Sequence, residues 1–434
     1  MMATGVMAAP RFVPAQQAES RFAVRFMTVQ LFSLIYLQKF GLFTASFPLS
    51  LTMLVLLAGV WSATAFGYLW ISLPRLAFFL TFIASCLVSQ SLAAEGSFPS
   101  LFQVVLLYTS MIVVVTVSQA EYRQIMDRFV KMLILPAIIV IVQYAYQKAT
   151  GHSNPISMNQ MLPKSVLMQG FFYEDFYPWY STFMRPNGFF FLEPSFASAF
   201  LASGAIIEIT YFRRLSYFVL FSVATVLSLG ATGMSMLVIA APLLLSRESP
   251  WVTVLVVTAV LIGLLVAFLL GLPLPLVSRL TELGDSSSSG GGRMLLPAMT
   301  LIERLSDLSY FLIGDGAGSI DRRMLAWPLL KVLTEYGLVA MASFAALYVI
   351  SVWGADNFAL KVALSVVYLF TGGYLLDPAM LELLVLLLFI IKVDAQKHDP
   401  QDERMQSIRD GPAAAMHTAP ALPGVATRHR SQLH

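Results

Sequence analysis

Arg185 and Glu193 stand eight residues apart in FMRPNGFFFLEPSFASAF, residues 183–200, where the chain is otherwise apolar or small. A guanidinium is the side chain best shaped to grip a phosphate through two parallel hydrogen bonds. A carboxylate in apolar surroundings holds a proton more tightly and so becomes a stronger base. A salt bridge between the two is the purely structural alternative. Pro186, Asn187 and Gly188 spell a turn, and Pro194 suits the first turn of a helix, so both side chains are presented where the chain enters that helix.

Just upstream, GFFYEDFYPWYS carries Glu174 and Asp175 beside Trp179 and Tyr180. Aromatic faces accept the apolar face of a pyranose while acids bind its hydroxyls; the same rings also suit an interfacial aromatic belt. A second polar segment begins at Arg279 and reads RLTELGDSSSSGGGRMLLPAMTLIERLSDLSYFLIGDGAGSIDRRM. Its Ser/Gly stretch ends at Arg293, an apolar-periodic helix is expected over 294–311, and GDGAG stops it before a second helix near Asp321 and the pair Arg322 and Arg323. Glycine N–H groups can cradle a phosphate, but without a following Lys-Ser/Thr this is no nucleotide loop, and a helix cap is the alternative.

Other chemistries are disfavoured. The histidines are His152, His398, His417, His429 and His434, four of them in the C-terminal tail, which argues against a histidine metal site or an intramembrane histidine acyltransferase. The single cysteine, Cys86, excludes an intrachain disulfide and a cysteine cluster. No cofactor is expected.

The elements that must position these residues follow from composition. Hydrophobic residues make up 58% of the 434 and charged residues only 12%, about half the share of a soluble domain. Charge-free runs such as 40–74, 96–120 and 215–246 are long enough for helices of about 20 residues, the length that spans hydrocarbon. The reading is an all-α integral membrane protein with about 12 transmembrane helices, near 26–43, 48–69, 75–93, 100–118, 130–147, 192–212, 215–229, 232–246, 251–270, 331–352, 358–376 and 378–392. The pair over 215–246 rests on the break at Ser228, Gly230, Thr232 and Gly233, and on Arg213, Arg214 and Arg247, which belong on one side.

With both termini cytoplasmic, the short inner segments collect most arginines, while residues 148–191 and 271–330 form two long periplasmic loops that hold every candidate above except Glu193, at the membrane edge. Residues 1–22 and 393–434 are read as cytoplasmic tails around a membrane domain over 23–392, and the Pro/Ala-rich ends as disordered. The net charge of +3 carries no basic tract, so nucleic acid is not expected as a partner and the lipid bilayer is.

Three stretches, RPNGFFFLEPSFA, LSLGATGMSMLVIAAPLLL and GGGRMLLPAMTLIERLSDLSYFLIGDGAGS leading into LLKVLTEYGLVAMASF, together resemble the Wzy-type polysaccharide polymerases, relatives of the O-antigen ligases, over roughly residues 120–390. The resemblance implies a transferase at the periplasmic face of the bacterial inner membrane. It would join oligosaccharide repeats carried on undecaprenyl diphosphate, alongside a flippase and chain-length or export proteins of the same route. Arg185 and Arg293 would neutralise the departing diphosphate and Glu193 would take the proton from the attacking hydroxyl. Arg279, Arg322 and Arg323 would be further phosphate contacts, and Glu335 in LTEYGL an orienting residue at a helix start. Arg279 also stands eleven positions before Gly290, a spacing found in some such polymerases. Relatives acting as ligases share a His-Asn pair after the glycine cluster, where this chain reads RRMLAWPLLK. A ligase and a transporter or flippase stay open as alternatives; against the transporter stands the lack of any pair of interrupted helices legible in the sequence.

Overall fold

The computed structural model describes residues 15–42, 49–93, 96–151, 156–168, 183–245, 296–303, 308–320, 326–354, 356–370 and 375–394. The chain is mostly helical: α1 (Ala15–Tyr36), α2 (Leu51–Ala65), α3 (Leu73–Leu92), α4 (Phe98–Thr109), α5 (Gln119–Thr150), α6 (Met158–Met161), α7 (Pro194–Ile207), α8 (Leu215–Leu227), α9 (Ala231–Leu245), α10 (Leu308–Ile313), α11 (Pro328–Trp353), α12 (Phe358–Phe370) and α13 (Pro378–Leu384). Short strands are β1 (Gly41–Leu42), β2 (Leu49–Ser50), β3 (Trp70–Ile71), β4 (Val113–Val117) and β5 (Ile391–Val393). Among the described residues, Leu73–Leu92, Pro194–Phe212 and Pro328–Trp353 are helical stretches long and apolar enough to cross a membrane.

Local signals set the helix ends. Ser50 caps α2 by accepting from Met53 N, and Ser118 with Glu121 forms a reciprocal capping box that opens α5. Gly151, at φ 69, closes α5. α5 therefore starts well before residue 130, and α1 starts at Ala15, inside the expected N-terminal tail.

Two expected helical spans finish as something else. Over 100–118 the helix stops at Thr109, makes a 3-10 turn at Ser110–Ile112 and becomes β4. The reason lies in VVVTV: β-branched side chains lose rotamer freedom in a helix and fit a pleated ladder. β4 pairs antiparallel with β3 and parallel with β5, which likewise replaces the end of the expected span 378–392. Its side chains are almost all buried, so its backbone is covered by protein where lipid offers no hydrogen bonds. Arg75 seals the junction, donating to Met111 O at 3.2 Å, Val113 O at 3.4 Å, Phe389 O at 2.7 Å and Ser351 O at 3.2 Å.

Hydrogen bonds and ring contacts join the described connecting segments at two ends. At one end Phe22 stacks on Tyr68 at 3.9 Å, Gln119 and Tyr211 both donate to Asp356, and Asp394 N donates to Val117 O at 3.0 Å. Here Glu208, in a π-helical turn over Glu208–Phe212, is fully buried against Arg214, which also reaches Asp127 at 2.7 Å. Burial pushes the Asp127 carboxyl up, but Lys131 and Arg214 outweigh it and hold it below the usual carboxylate range. Glu208 is thus a member of a structural ion-pair network. At the opposite end Met168 N donates to Lys39 O at 2.8 Å, Ser97 N to Ala317 O at 2.7 Å and Gln103 to Leu376 O at 3.1 Å.

The expected short pair over 215–246 is present as α8 and α9, broken at Ser228–Gly230. The expected helix over 294–311 is helical at 296–303 and in α10. It ends at Gly314, φ 82, whose N–H returns to Tyr310 O at 2.8 Å, so GDGAG begins as a helix cap. Asp321 lies outside the described residues, and the next helix is α11. The expected span 251–270 also lies outside them.

Candidate functional site

The site around Arg185 is built from α5 outward. Gln143 and Gln147 sit four apart, on one face of α5, and both are buried. Gln147 pairs with Met184 through two hydrogen bonds, Oε1 accepting from Met184 N and Nε2 donating to Met184 O, each at 2.8 Å. Gln143 Oε1 accepts from Gly188 N at 3.0 Å, and its Nε2 donates to Ile156 O at 2.8 Å. The two amides fasten the backbone on both sides of Arg185, so the arginine leaves a fixed base instead of a free loop.

Gly188, φ 66, turns the chain against the carbonyl of Pro136, where an added Cβ would stand 3.2 Å from that oxygen. Phe189 follows at φ 70, an unfavourable region for an aromatic residue. The turn delivers Glu193 to the N-cap of α7, with Pro194 at the first helical position. Glu193 Oε2 accepts from Ser195 Oγ at 3.1 Å, a setting that suits a fixed charge at the positive end of a helix.

The third component is the α8–α9 break. Arg185 Nη1 donates to Leu229 O at 3.4 Å, and Leu229 is itself at φ 55. Gly233 N, in the first turn of α9, donates to Ser198 Oγ of α7 at 3.0 Å, and Gly233 lies so close to the Ser198 backbone that no side chain fits there. The N-terminal ends of α7 and α9 therefore meet beside Arg185, with the Glu193 carboxylate at the α7 end. Lys148, over the Phe183 ring at 5.2 Å, adds a cation.

The structure thus brings Arg185 and Glu193 to one rim. Arg293, Arg279, Arg322, Arg323, Glu174, Asp175, Trp179 and Tyr180 all lie outside the described residues. Sequence reading missed Gln143, Gln147 and Lys148, although two glutamines four apart in an apolar run are a legible signal for a buried polar face. It also missed the break in α11, which leaves helical geometry at Gly337, φ 81 and ψ −179. The break between α8 and α9 was expected; the interruption inside α11 was not. Glu335, read as a helix-start residue, is instead buried inside α11 beside that interruption.

Fold and site define a mostly helical protein with, among the described residues, three helices of membrane-crossing length and a polar rim that carries Arg185 and Glu193. Comparison with known protein families finds no match for the chain, and comparison with curated proteins finds no similar sequence.

Proposed function

We propose that this protein is a membrane-embedded transferase that polymerises oligosaccharide repeats carried on undecaprenyl diphosphate, working at the periplasmic end of a polytopic bundle of about 12 crossings. The observation that carries the reading is the fixed placement of Arg185 between two glutamine-clamped backbone positions, at the meeting point of two helix N-termini. Such a rim suits a diphosphate whose charge grows as it departs, and preorganised positive groups in a low-dielectric setting stabilise that charge without reorganising. The polymerase-like order of the three sequence stretches supplies the substrate class. Protein in lipid vesicles, given lipid-linked repeats on its active side and neither nucleotide nor ion gradient, is expected to make a ladder of longer lipid-linked chains and release undecaprenyl diphosphate. A ligase would leave the repeats unextended until a lipid A-core acceptor was added. Repeats of unchanged mass after incubation with folded protein would refute the polymerase reading.

The interruption of α11 beside buried Glu335 favours membrane transport as a second reading, since broken helices lining polar sites are a transporter device. It predicts movement of the lipid-linked glycan between leaflets with no change in mass.

The orientation is tested separately. Ser165 is exposed, in a 3-10 turn of the first long loop, and Ser287 belongs to the second loop, outside the described residues. Cysteine at either position, in a Cys86→Ser background, should react with a membrane-impermeant thiol reagent in intact spheroplasts. Labelling confined to lysed cells would invert the topology.

A further inference from the structure

One face of the three-stranded sheet packs into the core and the other lines a cavity. Val113, Val115, Val117 and Ile391 are buried on the core side. Ladder partners point the same way, as do residues two apart on one strand. The pairs Trp70↔Val114 and Thr116↔Lys392 therefore share the opposite face. Beside that face lies a cavity of about 620 Å³, walled by Arg75 of α3 and by Val349, Ile350 and Trp353 of α11. Its size falls in the range of roughly 300–1,000 Å³ typical of small-molecule sites. The cavity belongs to the end of the bundle where Asp394 N donates to Val117 O, the end that the charge rule places inside. α5 starts just after β4, and its helical rise from Gln119 to Gln143 is roughly 36 Å, so the cavity is remote from the Arg185 rim.

The lining combines uncancelled positive charge with apolar surface. Arg75 and Lys392 line the cavity and no acid does; Asp356 and Asp394 belong to this end but not to the lining. Lys392 is exposed, its stem running beside Gly354, where a built Cβ would stand 3.6 Å from Lys392 Cγ. The carbonyls around Arg75 satisfy its N–H groups but cancel no charge. Among the described residues no carboxylate lies within ion-pair distance of either cation. Trp70 and Trp353, 61% and 82% exposed, stand at the rim, and tryptophan is the side chain that rests at headgroup level in a bilayer. Next to Trp353 on α11, exposed Val349 offers apolar surface to a hydrocarbon chain. A soluble anion would use the cations and leave the apolar wall idle. A lipid without net charge would use the wall and gain nothing from the cations.

We propose that this cavity binds a membrane phospholipid with an anionic headgroup, its phosphate at Lys392 over the charge of Arg75 and an acyl chain along the Val349 side of α11. The site stands on the membrane reading of the chain and is independent of the transferase reading.

The test is photo-crosslinking of the full-length protein in phosphatidylcholine vesicles that contain a small share of phosphatidylglycerol with a diazirine on its acyl chain. Label is expected in peptides covering residues 70–75 and 349–354. Excess unlabelled phosphatidylglycerol should suppress it, and extra phosphatidylcholine should not. Lys392→Gln should lower labelling of these peptides about five-fold, the worth of one lysine near an anionic lipid surface, with Lys392→Glu lower still and Lys392→Arg close to wild type. Labelling elsewhere on the chain should stay constant, which separates loss of the site from loss of the fold. Equal labelling of these peptides by a diazirine phosphatidylcholine overturns the proposal, as does undiminished labelling in Lys392→Gln. Should the lysine variants fail to fold, competition on the wild-type protein decides, and label that phosphatidylglycerol cannot displace refutes the site. Label displaced by undecaprenyl phosphate and not by phosphatidylglycerol also refutes it, by assigning the cavity to the lipid carrier. None of these outcomes measures chain extension, so each leaves the transferase reading where it stands.

Discussion

Arg185→Ala should abolish long polymer, lowering the rate of chain extension by roughly 100-fold or more, the usual effect of deleting one preorganised group that stabilises charge developing in a transition state. Protein level and lipid-linked single repeats should be unchanged, because the Met184–Gly188 backbone is held by Gln143 and Gln147 and not by the arginine side chain. Arg185→Lys should rescue only in part, since a point-charge ammonium cannot form the two-pronged contact. The measurement is the size distribution of lipid-linked glycan made by each variant at matched protein level. Wild-type chain lengths in the alanine variant would remove Arg185 from the reaction. A matching loss in Gln147→Leu, with Arg185 intact, would show that the clamp beneath the arginine matters as well as its charge.

Arg75→Met should be the most destabilising single change away from that rim. Arg75 is 4% exposed, and its guanidinium is the donor that gathers carbonyls from the 3-10 turn after α4, the start of β4, the turn before β5 and the end of α11. Methionine fills much of the volume but leaves those oxygens without a donor, at about 1–3 kcal/mol for each that stays buried and unpaired. The expected result is a folded species in detergent that melts well below wild type, or fails to accumulate, with lysine restoring part of the loss through its three donors. Melting at the wild-type temperature would mean that water or a rearranged backbone satisfies these carbonyls. Arg75 belongs to the cations that the sequence assigned to the inner face by the charge rule. Its structural role is to end several elements at once, and charge counting cannot distinguish the two.

Much of this chain is legible from one dimension. Apolar runs, breakers and caps fix where helices begin and end: Ser118 with Glu121 opens α5, Gly151 closes it, Gly314 closes α10, and the break at Ser228–Gly230 separates α8 from α9. These are interactions within a few residues, so their signals sit side by side in the chain. The turn after Arg185 and the helix start at Glu193 were legible for the same reason. What only the tertiary structure decided is long-range. VVVTV reads as the end of a span until Trp70–Ile71 and Ile391–Val393 are found beside it. Gly337 reads as an ordinary glycine in an apolar helix until Leu312 packs against it and the loop amides of Asp315 and Gly316 claim the carbonyls next to it. Glu335 reads as a helix-start residue, and its burial and the loop above it depend on α3 and α10 arriving from elsewhere in the chain. A local pattern specifies hydrogen bonds that close within one turn. Whether a buried polar atom is satisfied is settled by which distant segment packs on it.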